Sequence, residues 1–125
     1  LTPEALGHLD KARNSLAKAS GMIDIGYCDE AGRCAYLAAF HAALAFIFEQ
    51  TGKAPKTHAG VRGQFGNLTK NDPRFDVSLK KFLSQAYEMK TVADYDMVTD
   101  VSVERALEAI KMATRFVDCI SAVIV

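Results

Sequence analysis

The sequence predicts an all-α fold: an up-and-down bundle of four long helices plus one short helix, in a single domain over 1–125. Three observations predict it. Apolar residues recur at three- and four-residue spacing through most of the chain. The segments between these stripes carry helix-stop and turn chemistry, Gly21 to Gly26, Thr51-Gly52 and Asn71-Asp72-Pro73. No segment alternates apolar and polar residues between hairpin turns. A chain of 125 residues is also long enough to bury an ordinary core.

The elements follow in order. Thr2, Pro3 and Glu4 are a helix start, with a cap, a first-turn proline and an acid for the dipole. Leu6, Leu9 and Leu16 with Ala5, Ala12 and Ala19 then form a stripe to about Ser20. A second helix runs from about Asp29 to Gln50. It is apolar nearly all round between Ala35 and Phe48, which makes it the central element. A short helix over 57–68 has Thr57 as its cap and Val61, Phe65 and Leu68 as its stripe. Asp76 caps a fourth helix with Leu79, Phe82, Leu83 and Ala86, reaching about Thr91. The last helix starts near Ser102, with Val103, Leu107, Ile110, Val117 and Ile120 on one face.

Bulk composition narrows the function classes. Lys+Arg and Asp+Glu balance at 15 each, so the chain lacks the overall charge that grips long nucleic acid, although a local basic patch stays open. The three cysteines, Cys28, Cys34 and Cys119, lack CxxC spacing and fit free thiols in a reducing compartment. No signal pattern precedes the first helix, and the missing initiator Met suggests that the numbering starts inside the native chain. The apolar run from Ala35 to Phe48 is interrupted by His41 and falls short of the roughly 20 residues a bilayer span needs. A cytoplasmic protein without membrane contact is expected.

The stretch KTHAGVRGQFGNL, 56–68, spaces Gly60, Gly63 and Gly66 evenly. It matches neither GxxxxGK[ST] nor GxGxxG, and a helix precedes it, so phosphate-loop readings fail. Two readings stay open. In one, the glycines thin a helix face for close approach by another helix or a partner chain, each costing roughly 1 kcal/mol of helix propensity. In the other, His58 and Arg62, neighbours four residues apart, join Lys56, Thr57 and the helix start as a small anion site suited to phosphate.

Other candidates carry bland alternatives. His41 lies in the most apolar helix, where a core histidine bonded to a carbonyl competes with an acid/base role. The segment EMKTVADYDM gathers Glu88, Lys90, Asp94, Tyr95 and Asp96 near a helix end, as turn residues or as a group positioning a water or base. Without a histidine or a third clustered carboxylate there, no metal is expected, and no cofactor motif is present. Cys34 and His41 are about two helical turns apart, too far for a nucleophile–base pair.

Tyr36, Phe40, His41, Ala42 and Ala43, then Lys56, Thr57, His58, Gly60 and Val61, then Asp94, Tyr95 and Asp96 resemble the HEPN domains (higher eukaryotes and prokaryotes nucleotide-binding). The resemblance covers roughly 30–97 and points to a prokaryotic subgroup with Tyr-x-x-x-Phe-His-Ala-Ala, Lys-Thr-His-x-Gly-Val and Ala-Asp-Tyr-Asp elements. It implies an all-α bundle, a homodimer, a neighbouring nucleotidyltransferase partner and a link to toxin–antitoxin or defence systems. Active relatives are metal-independent ribonucleases in which an Arg-x(4–6)-His motif meets its copy across the dimer. Here no arginine is followed by a histidine at that spacing: seven residues separate Arg33 from His41, and His58 precedes Arg62. Lys90 stands where the subgroup has arginine, keeping the charge without the planar fork. The ribonuclease motif therefore does not carry over.

Three readings result. The first is binding of nucleotide or RNA through Lys56, Thr57, His58, Arg62 and Lys90, with His58, His41, Asp94 and Tyr95 as candidates for chemistry. The second is a non-catalytic dimerisation or interaction module partnering the nucleotidyltransferase. The third is a metal-independent ribonuclease toxin.

Overall fold

The computed structural model describes residues 1–95 and 101–124, apart from the side chains of 92, 93 and 95. Five helices follow one another in this region: α1 Pro3–Asp24, α2 Cys28–Thr51, α3 His58–Thr69, α4 Val77–Tyr95 and α5 Val103–Ile124. Four are long, at 19 to 24 residues, and α3 has 12. The all-α bundle expected from periodicity is the fold observed.

Helix ends form where cap chemistry places them. Thr2 accepts from the Ala5 amide, and Asp76 accepts from the Leu79 amide. Ser102 accepts from the Arg105 amide. Each side-chain oxygen satisfies a first-turn N–H that has no intrahelical partner. At the other ends, Gly26 at φ +84° and Gly52 at φ +77° take the left-handed conformation that stops α1 and α2. Two helices run further than expected. α1 passes Ser20 and Gly21 to Asp24, and α4 passes Thr91 to Tyr95. Gly21 lowers helix propensity without stopping the helix; the turn waits for Gly26.

α2 touches each of the other four helices and is the axis of the bundle. Ala35, Ala38, Ala39, Ala42, Ala43 and Ala45 are all fully buried, so short side chains let its neighbours approach on several sides. By length and composition α2 could cross a bilayer, yet 67% of its most apolar window is buried inside the bundle. Aromatic rings fill the space beyond the alanines. Phe46, Phe65 and Phe75 meet edge to face at centroid distances of 5.5 to 5.7 Å, and Phe65 also packs on Phe116 at 5.2 Å.

Three expectations about faces need correction. Leu6 is 47% exposed, because the core stripe of α1 is Ala5, Leu9, Ala12, Leu16 and Ala19, and Leu6 lies one position off that line. Val103 and Leu107 are also about half exposed, at 49% and 52%. The buried face of α5 is instead built on Ala106, Ala109, Ala113, Phe116, Val117 and Ile120. Small residues set how closely α5 approaches α2, so hydrophobicity alone misplaced the face. Finally, among the described residues no other helix packs on the glycines of α3. A Cβ at Gly63 or Gly66 would meet nothing within 4 Å. At Gly60 a Cβ would stand 2.9 Å from the Thr57 hydroxyl and 3.3 Å from the Pro55 side chain.

Candidate functional site

α2 carries Tyr36 and Phe40 one turn apart, and the start of α3 brings His58 against both. Thr57 fixes that start: its hydroxyl accepts from the Gly60 amide at 2.9 Å, which orients the first turn. The His58 ring stacks on Phe40 with centroids 4.3 Å apart and on Tyr36 at 5.7 Å. The Tyr36 side chain is fully buried, and its hydroxyl lies 2.5 Å from His58 Nδ1.

The charges around this pair fix the direction of the hydrogen bond. Burial pushes the Tyr36 phenol up, against the opposing pull of the Arg62 charge and its hydrogen bond, so the hydroxyl keeps its proton at neutral pH. Burial and the nearby Lys90 and Arg62 cations push His58 down, so its ring is neutral. A neutral ring that accepts from Tyr36 at Nδ1 carries its own proton on Nε2; this network assigns that tautomer.

Arg62, one turn beyond His58, lies over the Tyr87 ring with its guanidinium carbon 3.7 Å from the centroid. Its Nη1 is buried without a hydrogen-bond partner among the described residues. Lys90 Nζ stands 5.9 Å from the same ring and 2.8 Å from Asp94 Oδ2. Arg33 pairs with Asp94 through Nε and with Glu30 through Nη1. Asp94 is held below the usual carboxylate range, chiefly by the Lys90 hydrogen bond and then by Arg33. Asp94 therefore ties two cations in place, while Arg62 faces an aromatic ring.

Of the residues singled out from sequence, the structure gathers His58, Arg62, Lys90 and Asp94. Lys56 and Thr57 are exposed at the entrance to α3, with the Thr57 hydroxyl committed to the cap. His41 stands apart from the Tyr36–His58 pair. It meets Phe40 edge to face at 5.6 Å and lies parallel to His8 at 6.3 Å. Its Nδ1 is buried without a partner among the described residues, so the carbonyl expected for a core histidine is not found there at that atom. The Tyr95 side chain and Asp96 lie outside the described residues.

Sequence reasoning missed three members, Tyr36, Tyr87 and Arg33. Tyr36 left two usable signals: its place in the Tyr-x-x-x-Phe-His-Ala-Ala element, and a phenol inside an alanine-rich buried face, which must find a partner. Tyr87 and Arg33 gave none, since their partners lie on other helices. Among the described residues no group of three or more His, Cys, Asp or Glu is arranged to hold a metal ion. A groove of about 530 Å³ lies between α4 and α5 on Phe82, Ala86, Met89, Ala109 and Met112, and shares no residue with this site.

Comparison with known proteins follows the same lines. A family profile described as "HEPN domain" matches residues 5–123. The chain is also similar to "Putative toxin MJ0142" of Methanocaldococcus jannaschii, 26% identical over 98 residues that make up 78% of this chain. The match spans 66% of that relative's length.

Proposed function

The chain belongs to the HEPN domain family, and on that premise we propose that it is a toxin-type HEPN protein that binds RNA by its phosphates at His58 and Arg62. The observation that carries this reading is the Tyr36–His58 hydrogen bond of 2.5 Å set beside a guanidinium with an unpartnered nitrogen. A neutral imidazole presenting Nε2–H and a planar guanidinium are two donors suited to two oxygens of one phosphate. Lys90 adds charge, and Tyr87 holds the Arg62 plane. The similarity to a protein named as a toxin supports the toxin assignment.

Strand cleavage is a second reading, favoured by one specific feature. His58 and Arg62 supply the histidine and arginine that no Arg-x(4–6)-His sequence provides here, in reversed order on one helix face. In such chemistry the histidine moves a proton and the arginine stabilises charge on the phosphorus oxygens. A dimer or a nucleotidyltransferase partner belongs to the same proposal as the assembly in which the site works.

Changing His58 and Arg62 together to alanine tests the binding reading. RNA affinity measured by fluorescence anisotropy is expected to fall at least about tenfold, the scale of a lost charge-assisted contact. The helical circular dichroism signal should persist. Unchanged affinity in the folded variant rejects the proposal. Cleavage of RNA in EDTA by the unaltered protein, lost in the variant, would establish the second reading.

A further inference from the structure

We propose that the site continues from His58 across α2 to a second phosphate contact at His41, His8 and Lys11, so that its ligand is a single strand of several nucleotides. This inference rests on the reading of His58 and Arg62 as phosphate-binding. All three histidines of the chain, one each on α1, α2 and α3, fall in this row. The steps are short: Phe40 to His58 is 4.3 Å, Phe40 to His41 is 5.6 Å, and His41 to His8 is 6.3 Å between ring centroids.

Charge runs along the row as well. Lys11 lies near enough to both His8 and His41 to lower them, after burial, and His58 lowers His41 in turn. Lys18 and Arg33 act on Cys34, two turns before His41 on α2. Cations from α1 thus border one side of α2, and Arg62 and Lys90 border the other. Between them the outward side chains of α2 are Leu37, 38% exposed, and the half-buried Phe40.

Lys11, one turn after His8 on α1 and beside His41, and Arg62, one turn after His58, are cations at the two ends of this row of rings, placed to take two phosphates of one strand. No single phosphate reaches from Arg62 to Lys11 across Phe40, His41 and His8. Both His8 Nδ1 and His41 Nδ1 are buried without a partner among the described residues, which marks the α1–α2 end as polar beyond what internal packing uses.

The test compares an RNA dinucleotide with a strand of about eight nucleotides, a length in the usual single-strand site range. Binding by the unaltered protein and by the Lys11→Gln and Lys80→Gln variants is followed by anisotropy at several salt concentrations. The unaltered protein should bind the longer strand more tightly. K11Q should weaken that strand severalfold and reduce its salt slope by about 0.7, the value for one phosphate contact on a single strand. K80Q, on the Lys70 side of α4, should change it much less. Equal affinity for both lengths, or equal losses in K11Q and K80Q, overturns the second contact and leaves the His58–Arg62 site standing. Failure of the unaltered protein to bind either RNA overturns both.

Discussion

The hydroxyl of Tyr36, on the central helix, lies 2.5 Å from Nδ1 of His58, the first residue of α3. This contact links the most buried element of the bundle to an exposed side chain at a helix start. It makes the tautomer of His58 depend on a core side chain.

Replacing Tyr36 by phenylalanine keeps the ring and removes the donor. The lost hydrogen bond should lower stability by about 1 kcal/mol, seen as a shift in the urea midpoint. Nitrogen-15 NMR should show His58 almost wholly as the Nε2–H tautomer in the unaltered protein and as a tautomer mixture in Y36F. A protein with Nδ1–H on His58 before substitution would reverse the assigned donor and acceptor.

Acid should destabilise the fold earlier than carboxylate titration alone would. His8, His41 and His58 are all lowered from the ordinary histidine value of 6.5, with burial as the largest cause in each. The unfolded chain therefore binds more protons than the folded one just below that value. Stability from these groups is fully present above about pH 6.5 and is lost as pH falls through their depressed folded values. Denaturant midpoints between pH 8 and pH 5 (roughly the histidine range) should be level at first and then decline. A midpoint that rises on acidification would contradict the depressed values.

The three glycines of α3 should respond differently to alanine. Gly63 and Gly66 have open space where a Cβ would stand, so each substitution should stabilise the domain by about 1 kcal/mol through helix propensity. Gly60→Ala places a methyl 2.9 Å from the Thr57 hydroxyl and should disturb the cap, giving no gain or a loss. Thermal melts of the three variants check this. If G63A stabilises the isolated chain yet weakens self-association in sedimentation experiments, the glycine face serves a second copy or partner.

Enlarging the small residues of α2 should be costly. Ala39 is fully buried, and leucine there must displace neighbouring helices, a loss of about 1–3 kcal/mol. Urea unfolding measures it, and a neutral result would mean that the bundle has slack along its axis.

Much of this architecture was legible in the sequence because its signals are local. Thr2, Thr57, Asp76 and Ser102 announce helix starts within three residues of the amides they cap. Gly52 ends α2 where a left-handed residue is needed. Faces were harder. Leu6 and Leu107 are as apolar as any core residue, and only the alanine lines beside them show which side packs. The site divided in the same way. His58 and Arg62 are visible together since four residues bring them onto one face. Tyr36, Tyr87 and Arg33 join them through contacts between helices, 22 residues of sequence apart for the Tyr36–His58 pair and 61 for Arg33–Asp94. Such contacts depend on how the helices pack, which periodicity does not specify.

The most direct measurement is an NMR titration with a short single-stranded RNA, following the side-chain nitrogens of His58 and Arg62 and the methyl groups of Met89 and Met112. With phosphate bound between His58 and Arg62, the His58 Nε2 and Arg62 guanidinium signals should move from the first additions while both methyl signals stay in place. Movement of the methionine methyls in the α4–α5 groove, with His58 and Arg62 stationary, would contradict phosphate binding at this site.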